Sequence, residues 1–396
     1  MLSCQKSLFD LEENITYLNT AYMSPQLSSV TALGVDLMSR KGRPYQISIP
    51  DFYDPLDQAK TDFCRLINGK DKNRVAIIPS ASYGLANVAN NIKLEKGERI
   101  LMVEEQFPSN YYCWKRLCDQ YGGEIKMVKA PASKNRGQAW NEALLEAIDE
   151  QTRVVALSHV HWADGTKFDL PAIRQRSRAV GALLVIDGTQ SVGALPFDME
   201  EIQADALVCA GYKWLLGPYS IGLAYYGPEF DNGIPIEENW INRLHSEDFK
   251  NLVNYQEEYQ PKAWRYSMGE QSNFVSLPML NKAIKQLLAW SPEGIQAYCA
   301  DLWKSILPSL QELGCSVEEA GFRGEHLVGI RLDDSFDRQK LNTVLQENNV
   351  FVSFRGNSIR VSCHLYNEKK DMELLLDCFK RSKKESSVHS NSISAI

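Results

Sequence analysis

ALVCAGYKWLLGPYSIGLAYY (206–226) holds two apolar, β-rich runs, 206–210 and 221–226, separated by the short gap 211–220. A parallel return needs a crossover of a dozen residues or more, so strands joined this closely are expected to run antiparallel. The gap begins Gly211-Tyr212-Lys213-Trp214. A lysine at the mouth of a buried strand must reach water or find a partner, because an uncompensated buried ammonium is costly.

Five similar runs lie upstream: VAIIP (75–79), RILMV (99–103), EIKMV (124–128), VVALS (154–158) and LLVID (183–187). Most gaps between them hold helix-like segments, SYGLANVANNI, SNYYCWKRLCDQY, WNEALLEAIDE and LPAIRQRSRAVGA. Alternation of this kind predicts an α/β fold with a seven-stranded, mostly parallel sheet covered by helices on both faces. After Gly269 the pattern changes. SLPMLNKAIKQLLAW and AYCADLWKSILPSLQEL each read as one amphipathic helix. The short runs HLVGIRL (326–332), NVFVSFR (349–355) and SIRVSC (358–363), with the helix-like DRQKLNTVLQENN between the first two, give the α+β pattern of a smaller domain. The expected organisation is an N-terminal segment 1–17 packing with the small domain, a large domain 18–280, a small domain 281–380 and a tail 381–396. The tail is serine-rich and basic with little to bury, so disorder is expected there.

With 396 residues the chain has room for two or three compact units. Lysine and arginine number 43 against 50 acidic residues, a net charge of −7, which argues against nucleic acid as a partner. No apolar run reaches the roughly 18 residues of a membrane span, and MLSCQKSLFDLEEN is too acidic and too broken for a signal peptide. A cytoplasmic protein without membrane contact is expected. The nine cysteines are scattered, and the closest pair, Cys113 and Cys118, has no matching pair or histidine at ligand spacing, so neither a zinc site nor a disulfide framework is expected.

Open α/β sheets bind ligands beyond the carboxyl ends of their strands, so the residues just after each run are the ones to inspect. SASYG (80–84) follows the first run and offers hydroxyls and a glycine at a helix start, either an ordinary serine cap or a phosphate cradle. EEQFPSN places Phe107 at the same edge, and HVHWADG places His159, His161 and Trp162 there. DGTQS brings Asp187 and Gln190, and GYKW brings Lys213. Each alone is an ordinary turn or core residue. Together they supply an anion cradle, an aromatic platform, a carboxylate and an amine, the set that pyridoxal phosphate requires: lysine forms the imine, and the carboxylate keeps the pyridine nitrogen protonated. Neither GxGxxG nor GxxxxGK[ST] occurs among these turns.

The span VVALSHVHWADGTKFDLPAI, GALLVIDGTQSVGALPFDM and ADALVCAGYKWLLGPYSIGLAYY resembles the class V aminotransferase family of fold-type I pyridoxal-phosphate enzymes, which includes cysteine desulfurases, kynureninases and isopenicillin epimerase-like proteins. YLNTAYMSP (17–25), RYSMGEQSN (265–273) and SIRVSCHLYNEKKDMELLLDCF extend the likeness to about residue 380. The resemblance implies that Lys213 is the Schiff-base lysine and proton shuttle, that Asp187 binds the pyridine nitrogen and that Gln190 lies near the phenolic oxygen. It implies a phosphate site from Ala81, through its backbone, Ser82 and Tyr212, completed by Ser272 or Asn273 of a second subunit in a homodimer. Phe107 is expected to stack on the ring, His161 or Trp162 to contact cofactor or substrate, Arg360 to pair with the substrate α-carboxylate, and Tyr22 to touch the substrate.

Two departures bear on activity. Desulfurases of this family commonly stack a histidine where this chain has Phe107, closer to the kynureninase-like pattern, and they carry a mobile cysteine on a loop before the C-terminal arginine. NVFVSFRGNSIRVS leaves no room for that loop, and Cys363 reads as a packed strand residue. Transamination of a small amino acid is the first expectation, with epimerisation, C–S cleavage and kynureninase-like chemistry open, since one site serves them all. A non-catalytic binding module is the remaining alternative; the joint presence of Lys213, Asp187 and Arg360 weighs against it.

Overall fold

The computed structural model describes residues 2–133, 135–356 and 358–384. Its strands in chain order are β1 (Thr16–Tyr17), β2 (Val75–Ile78), β3 (Arg99–Val103), β4 (Glu124–Val128), β5 (Thr152–Ser158), β6 (Leu183–Asp187), β7 (Ala206–Ala210), β8 (Gly222–Tyr226), β9 (Cys315–Ser316), β10 (Leu327–Leu332), β11 (Val350–Phe351), β12 (Ser353–Arg355) and β13 (Ser358–Ser362). Strands β2 to β8 form one seven-stranded sheet in the order β2-β8-β7-β6-β5-β3-β4. Every neighbouring pair is parallel except the two that β8 makes, with β2 and with β7. The short gap after β7 thus has the predicted effect.

The central strands bury both faces, which is why they read as unbroken apolar runs. Alternate residues sort to opposite sides. Val155, Leu157, Ile186 and Leu207 join one core, whereas Val154, Ala156, Val185 and Val208 join the other, with Trp114, Leu85 and Val88. The helices Ala81–Asn90, Ser109–Tyr121, Arg136–Ala147 and Leu170–Ala179 occupy the predicted gaps. Backbone bonds close the β7–β8 return: Gly211 N–H donates to Ile221 O and Gly217 N–H to Gly211 O, both at 2.9 Å. A Cβ on Gly211 would stand 2.5 Å from the Ile221 carbonyl oxygen, so only glycine permits this approach immediately before Tyr212 and Lys213.

A second, antiparallel sheet has the order β12-β13-β10-β9. The N-terminal segment packs beside it: β1 and β11 form a separate two-stranded parallel sheet, Asn19 bridges to Ser362 of β13, and Thr16 donates to Asp371 at 3.1 Å. The small sheet meets the large one where Gly329 of β10 donates its N–H to Asp164 O at 2.9 Å. A Cβ on Gly329 would lie 2.3 Å from that oxygen, so the two backbones touch because no side chain intervenes.

Two expectations are corrected. AYCADLWKSILPSLQEL forms two helices, Pro292–Lys304 and Leu307–Glu312, because Pro308 lacks the N–H that a continuous helix needs and instead occupies the first turn of a new one. The start of the expected tail belongs to the fold: Arg381 ends the helix Lys369–Arg381, Ser382 is fully buried and Lys383 bridges to Phe336. Residues 385–396 of that tail lie outside the described residues. No helix among the described residues is long and apolar enough to cross a membrane.

Candidate active site

The ends of β2, β5, β6 and β7 converge on a cavity of about 260 Å³ lined by Ala81, Ser82, Phe107, Trp162, Asp187, Gln190, Tyr212 and Lys213. Five segments of chain, 79–82, 106–109, 158–162, 187–190 and 210–221, meet there, as the rule of carboxyl strand ends requires. The sequence missed Gln106, Ser109, Ser158, Thr189, Tyr219 and Ser220, which share the wall. Ser158 was findable, since it is the last residue of VVALS.

Lys213 is only 7 % exposed. Burial pulls its pKa down to about 8, Arg360 and Arg355 press in the same direction, and Asp187 opposes them. Its Nζ lies 5.6 Å from the centre of the Phe107 ring and 5.5 Å from that of Tyr212. Asp187 ends β6, buried, and accepts the Thr189 N–H at 3.0 Å. Burial pushes its carboxyl above the usual carboxylate range, while Thr189 and the Lys213 charge pull back. Each group is thus destabilised in its charged form by desolvation and partly restored by the other.

At the opposite wall the helix Ala81–Asn90 begins. Ser80 caps it by accepting the Tyr83 N–H at 3.2 Å, and Gly84 N–H returns to Ser80 O, so the amides of Ala81 and Ser82 have no intrahelical acceptor. The Ser82 hydroxyl lies 2.9 Å from that of Ser80. A serine cap and an anion cradle are therefore both present, on different residues of one turn. Two further wall atoms, Ser158 Oγ and Gln106 Nε2, are buried without a hydrogen-bond partner among the described residues.

Phe107 and Trp162 meet edge to face, ring centres 5.4 Å apart, and the Trp162 indole donates to Glu105 O at 2.7 Å. The Tyr212 ring is 4.5 Å from that of Tyr219, and its carbonyl accepts from both the amide and the hydroxyl of Ser24. Gln190 lines the cavity, but its amide donates to Ala21 O at 3.1 Å and accepts from Trp214 Nε1 at 3.0 Å, which fixes its orientation. His161 is a correction. It is fully buried and does not line the cavity; its ring nitrogens engage Asp164 at 3.0 Å and Glu104 O at 3.1 Å. Burial disfavours its charged form, but Asp164 outweighs that and shifts the pKa upward, making His161 part of a buried ion cluster with Arg136 and Glu318.

Arg360 lies on β13, opposite Ser353 of β12 and Gly329 of β10. It is 2 % exposed, donates from Nη1 to Trp162 O at 2.7 Å and leaves Nε unpartnered. Burial, with Arg355 beside it, pulls its pKa down to about 9, so it stays charged at neutral pH. Tyr22 is 57 % exposed and is not part of the cavity wall, but lies near enough to Tyr212 of that wall to act on its hydroxyl. Ser272 donates to Phe52 O at 2.7 Å, and Asn273 Oδ1 accepts the amides of Val275 and Ser276 at the start of the helix Ser276–Trp290. Neither lines the cavity of its own chain.

These residues fit the group expected from the sequence. An anion cradle, an aromatic wall, a buried acid and an amine with a depressed pKa surround a space of the right scale, and the unpartnered Ser158 and Gln106 atoms leave polar capacity for a ligand. No group of three or more metal-ligating side chains occurs among the described residues. A larger, more open groove of about 840 Å³, bordered by His159, Lys167, Leu195 and Pro292, contains none of this machinery. That groove also holds shifted groups, His159 and Lys167, so what marks the small cavity as the candidate site is its buried Asp187 and Lys213 beside the free amides of a helix start.

Comparison with known proteins bears on the family and the fold. The aminotransferase class-V family profile matches residues 49–375. Among relatives, the uncharacterized aminotransferase YcbU of Bacillus subtilis is 26 % identical over 369 residues, covering 89 % of this chain and 94 % of its own. Isopenicillin N epimerase of Streptomyces clavuligerus is 27 % identical over 186 residues, covering 47 % of this chain and 46 % of its own. Among solved structures, the cystine C–S lyase C-DES in complex with its product cysteine persulfide superposes with a TM-score of 0.83 at 18 % identity, over 94 % of this chain and 99 % of that one.

Proposed function

Because the chain belongs to the aminotransferase class-V family, we propose that it uses pyridoxal phosphate to act at the α-carbon of an amino acid, and that the reaction is transamination. The observation that carries the proposal is the meeting of Lys213, its amine depressed to about 8, with buried Asp187 in one small cavity. The cofactor, when bound, supplies an electron-withdrawing ring that acidifies the substrate α-carbon.

The chain's own residues divide the remaining work. The amides of Ala81 and Ser82, with the Ser82 hydroxyl, hold the phosphate, and Tyr212 closes that end. Asp187 would keep the ring nitrogen protonated, Phe107 would offer an aromatic face to the ring, and Gln190, fixed by Ala21 and Trp214, would serve the phenolic oxygen. Lys213 would hold the cofactor through its amine, and that amine would carry the proton at the substrate α-carbon. Arg360 holds the α-carboxylate with donors the protein leaves unused. Transamination is favoured over sulfur transfer because no cysteine lines the cavity, and Cys363 is fully buried with its thiol 3.6 Å from Glu325 O.

Screening tests the reaction. Amino acids are mixed one at a time with the cofactor-loaded protein, and the product is identified by mass spectrometry and chiral chromatography. A 2-keto acid is expected. An inverted amino acid or an eliminated fragment sinks transamination while leaving the site assignment intact.

The assembly is proposed to be a homodimer in which Ser272 or Asn273 reaches the neighbouring phosphate site, supported by their separation from their own cavity and by exposed Val35, Met38 and Tyr255. Size-exclusion with light scattering is expected to give twice the chain mass; a monomer with full cofactor occupancy contradicts it.

A further inference from the structure

Arg360 is not the only guanidinium at the site. β12 pairs antiparallel with β13, and Arg355 at the end of β12 lies near Trp162 of the cavity wall, although neither arginine itself lines that wall. Arg355 lies with its guanidinium carbon 5.7 Å from the centre of the Trp162 ring, while Arg360 donates to the carbonyl of the same tryptophan. Among the described residues neither arginine has a carboxylate partner, and both leave a buried Nε without an acceptor. Arg355 Nη1 meets only the carbonyl of its own neighbour, Phe354, at 2.8 Å. Glu105, the acid of this rim, comes within 3.8 Å of where a Cβ on Gly356 would stand, yet makes no ion pair with Arg355.

Burial is the larger cause of the lowered pKa values of Arg360 and Lys213, and the neighbouring guanidinium charges add to it: Arg355 at Arg360, and both arginines at Lys213. Asp187, which opposes them at Lys213, is committed to the ring nitrogen. A single α-carboxylate neutralises one guanidinium and leaves the other. A planar fork with free donors, stacked beside an aromatic face, is suited to bind an acid.

We infer that the substrate is an amino acid whose side chain ends in a second acid, with Arg360 holding the α-carboxylate and Arg355 holding the side-chain acid beside Trp162. This rests on the reading of the cavity as an amino-acid site. Substrate-sized dicarboxylates are then ligands and matching monocarboxylates are weak ones.

The test is calorimetric binding of unreactive acids to the cofactor-loaded protein: succinate and glutarate against butyrate and valerate. One of the two dicarboxylates is expected to bind about 10- to 100-fold more tightly than its monocarboxylate counterpart, the scale of a hydrogen bond to a charged group. Arg355→Gln is expected to erase that preference, and Arg360→Gln to weaken both classes. Equal binding of the two classes by the wild type, or a preference that survives Arg355→Gln, overturns the inference. Visible absorbance of the same samples separates the two readings. A Lys213-dependent band without acid discrimination sinks the second-acid proposal alone, whereas absence of the band sinks the cofactor reading beneath it.

Discussion

Lys213→Ala is expected to lower turnover by about 10³-fold or more and to abolish the visible absorption band that depends on a lysine–cofactor linkage. Two roles fall together. The substitution removes the amine that joins the cofactor to β7's end and the group that moves the α-proton, and positioned acid–base groups are each worth about 10²–10⁴-fold. The cradle at Ala81 and Ser82 and the acid at Asp187 remain, so the variant is expected to retain the cofactor non-covalently. The wild type carries a matching pH signature. Only the neutral amine attacks a carbonyl, and burial holds the Lys213 pKa at about 8 against an ordinary value of 10.5. Cofactor uptake, followed by stopped-flow absorbance, is therefore expected to accelerate as pH rises towards 8 and to level off above it. Turnover of Lys213→Ala within tenfold of the wild type would falsify the assignment.

Asp187→Asn is expected to act in opposite directions on activity and on stability. In the loaded protein a buried carboxylate faces a protonated ring nitrogen, and breaking one side of a buried charge pair costs about 3–5 kcal/mol, or roughly 10²–10³-fold in rate. In the cofactor-free protein the same carboxylate is a buried charge that Lys213 only partly balances, which is why burial raises its pKa. A group whose pKa is higher folded than unfolded contributes stability below its unfolded value, about 3.9 for aspartate, and loses it as pH rises through the folded value. Above the folded value that loss is complete. Asparagine keeps the shape and the Thr189 contact without the charge, so the cofactor-free variant is expected to melt above the cofactor-free wild type at pH 7, with the gap closing towards pH 4. Thermal melts across pH 4–8 check this. A cofactor-free variant that melts lower at pH 7 shows that Asp187 is satisfied without the ring.

The sequence revealed the large sheet because its signals are local. A gap too short for a helix set the direction of β8, and apolar runs without alternation announced strands buried on both faces. It brought Lys213, Asp187 and Ser82 to one place, the wall they share in the structure, because strand ends in such a sheet share one edge. It failed where the answer depended on which face a residue takes. Ser158 enters the cavity, whereas His159 borders the groove on another side and His161 turns to Asp164. An edge position alone does not separate them. Arg355 was invisible for another reason: nothing in SFRGNS marks an arginine as functional until the β12–β13 pairing brings it beside Trp162, far away in sequence. Pro308 was legible in principle, since a proline inside a helix-like run asks for a new start.

The contact between Gly329 and Asp164 has a consequence for how such a protein changes over time. The groups that break and make bonds at the α-carbon hang from one sheet, and both guanidinium groups hang from another that shares no strand with it. The two meet at that backbone bond and at the Trp162 carbonyl, so the arginines can be replaced without a contact to Asp187 or Ser82 being lost, while their charges act on Lys213 across the gap. Selection is thereby free to exchange one diet of amino acids for another while inheriting the same chemistry, and a designer seeking new specificity has β12 and β13 as the place to begin.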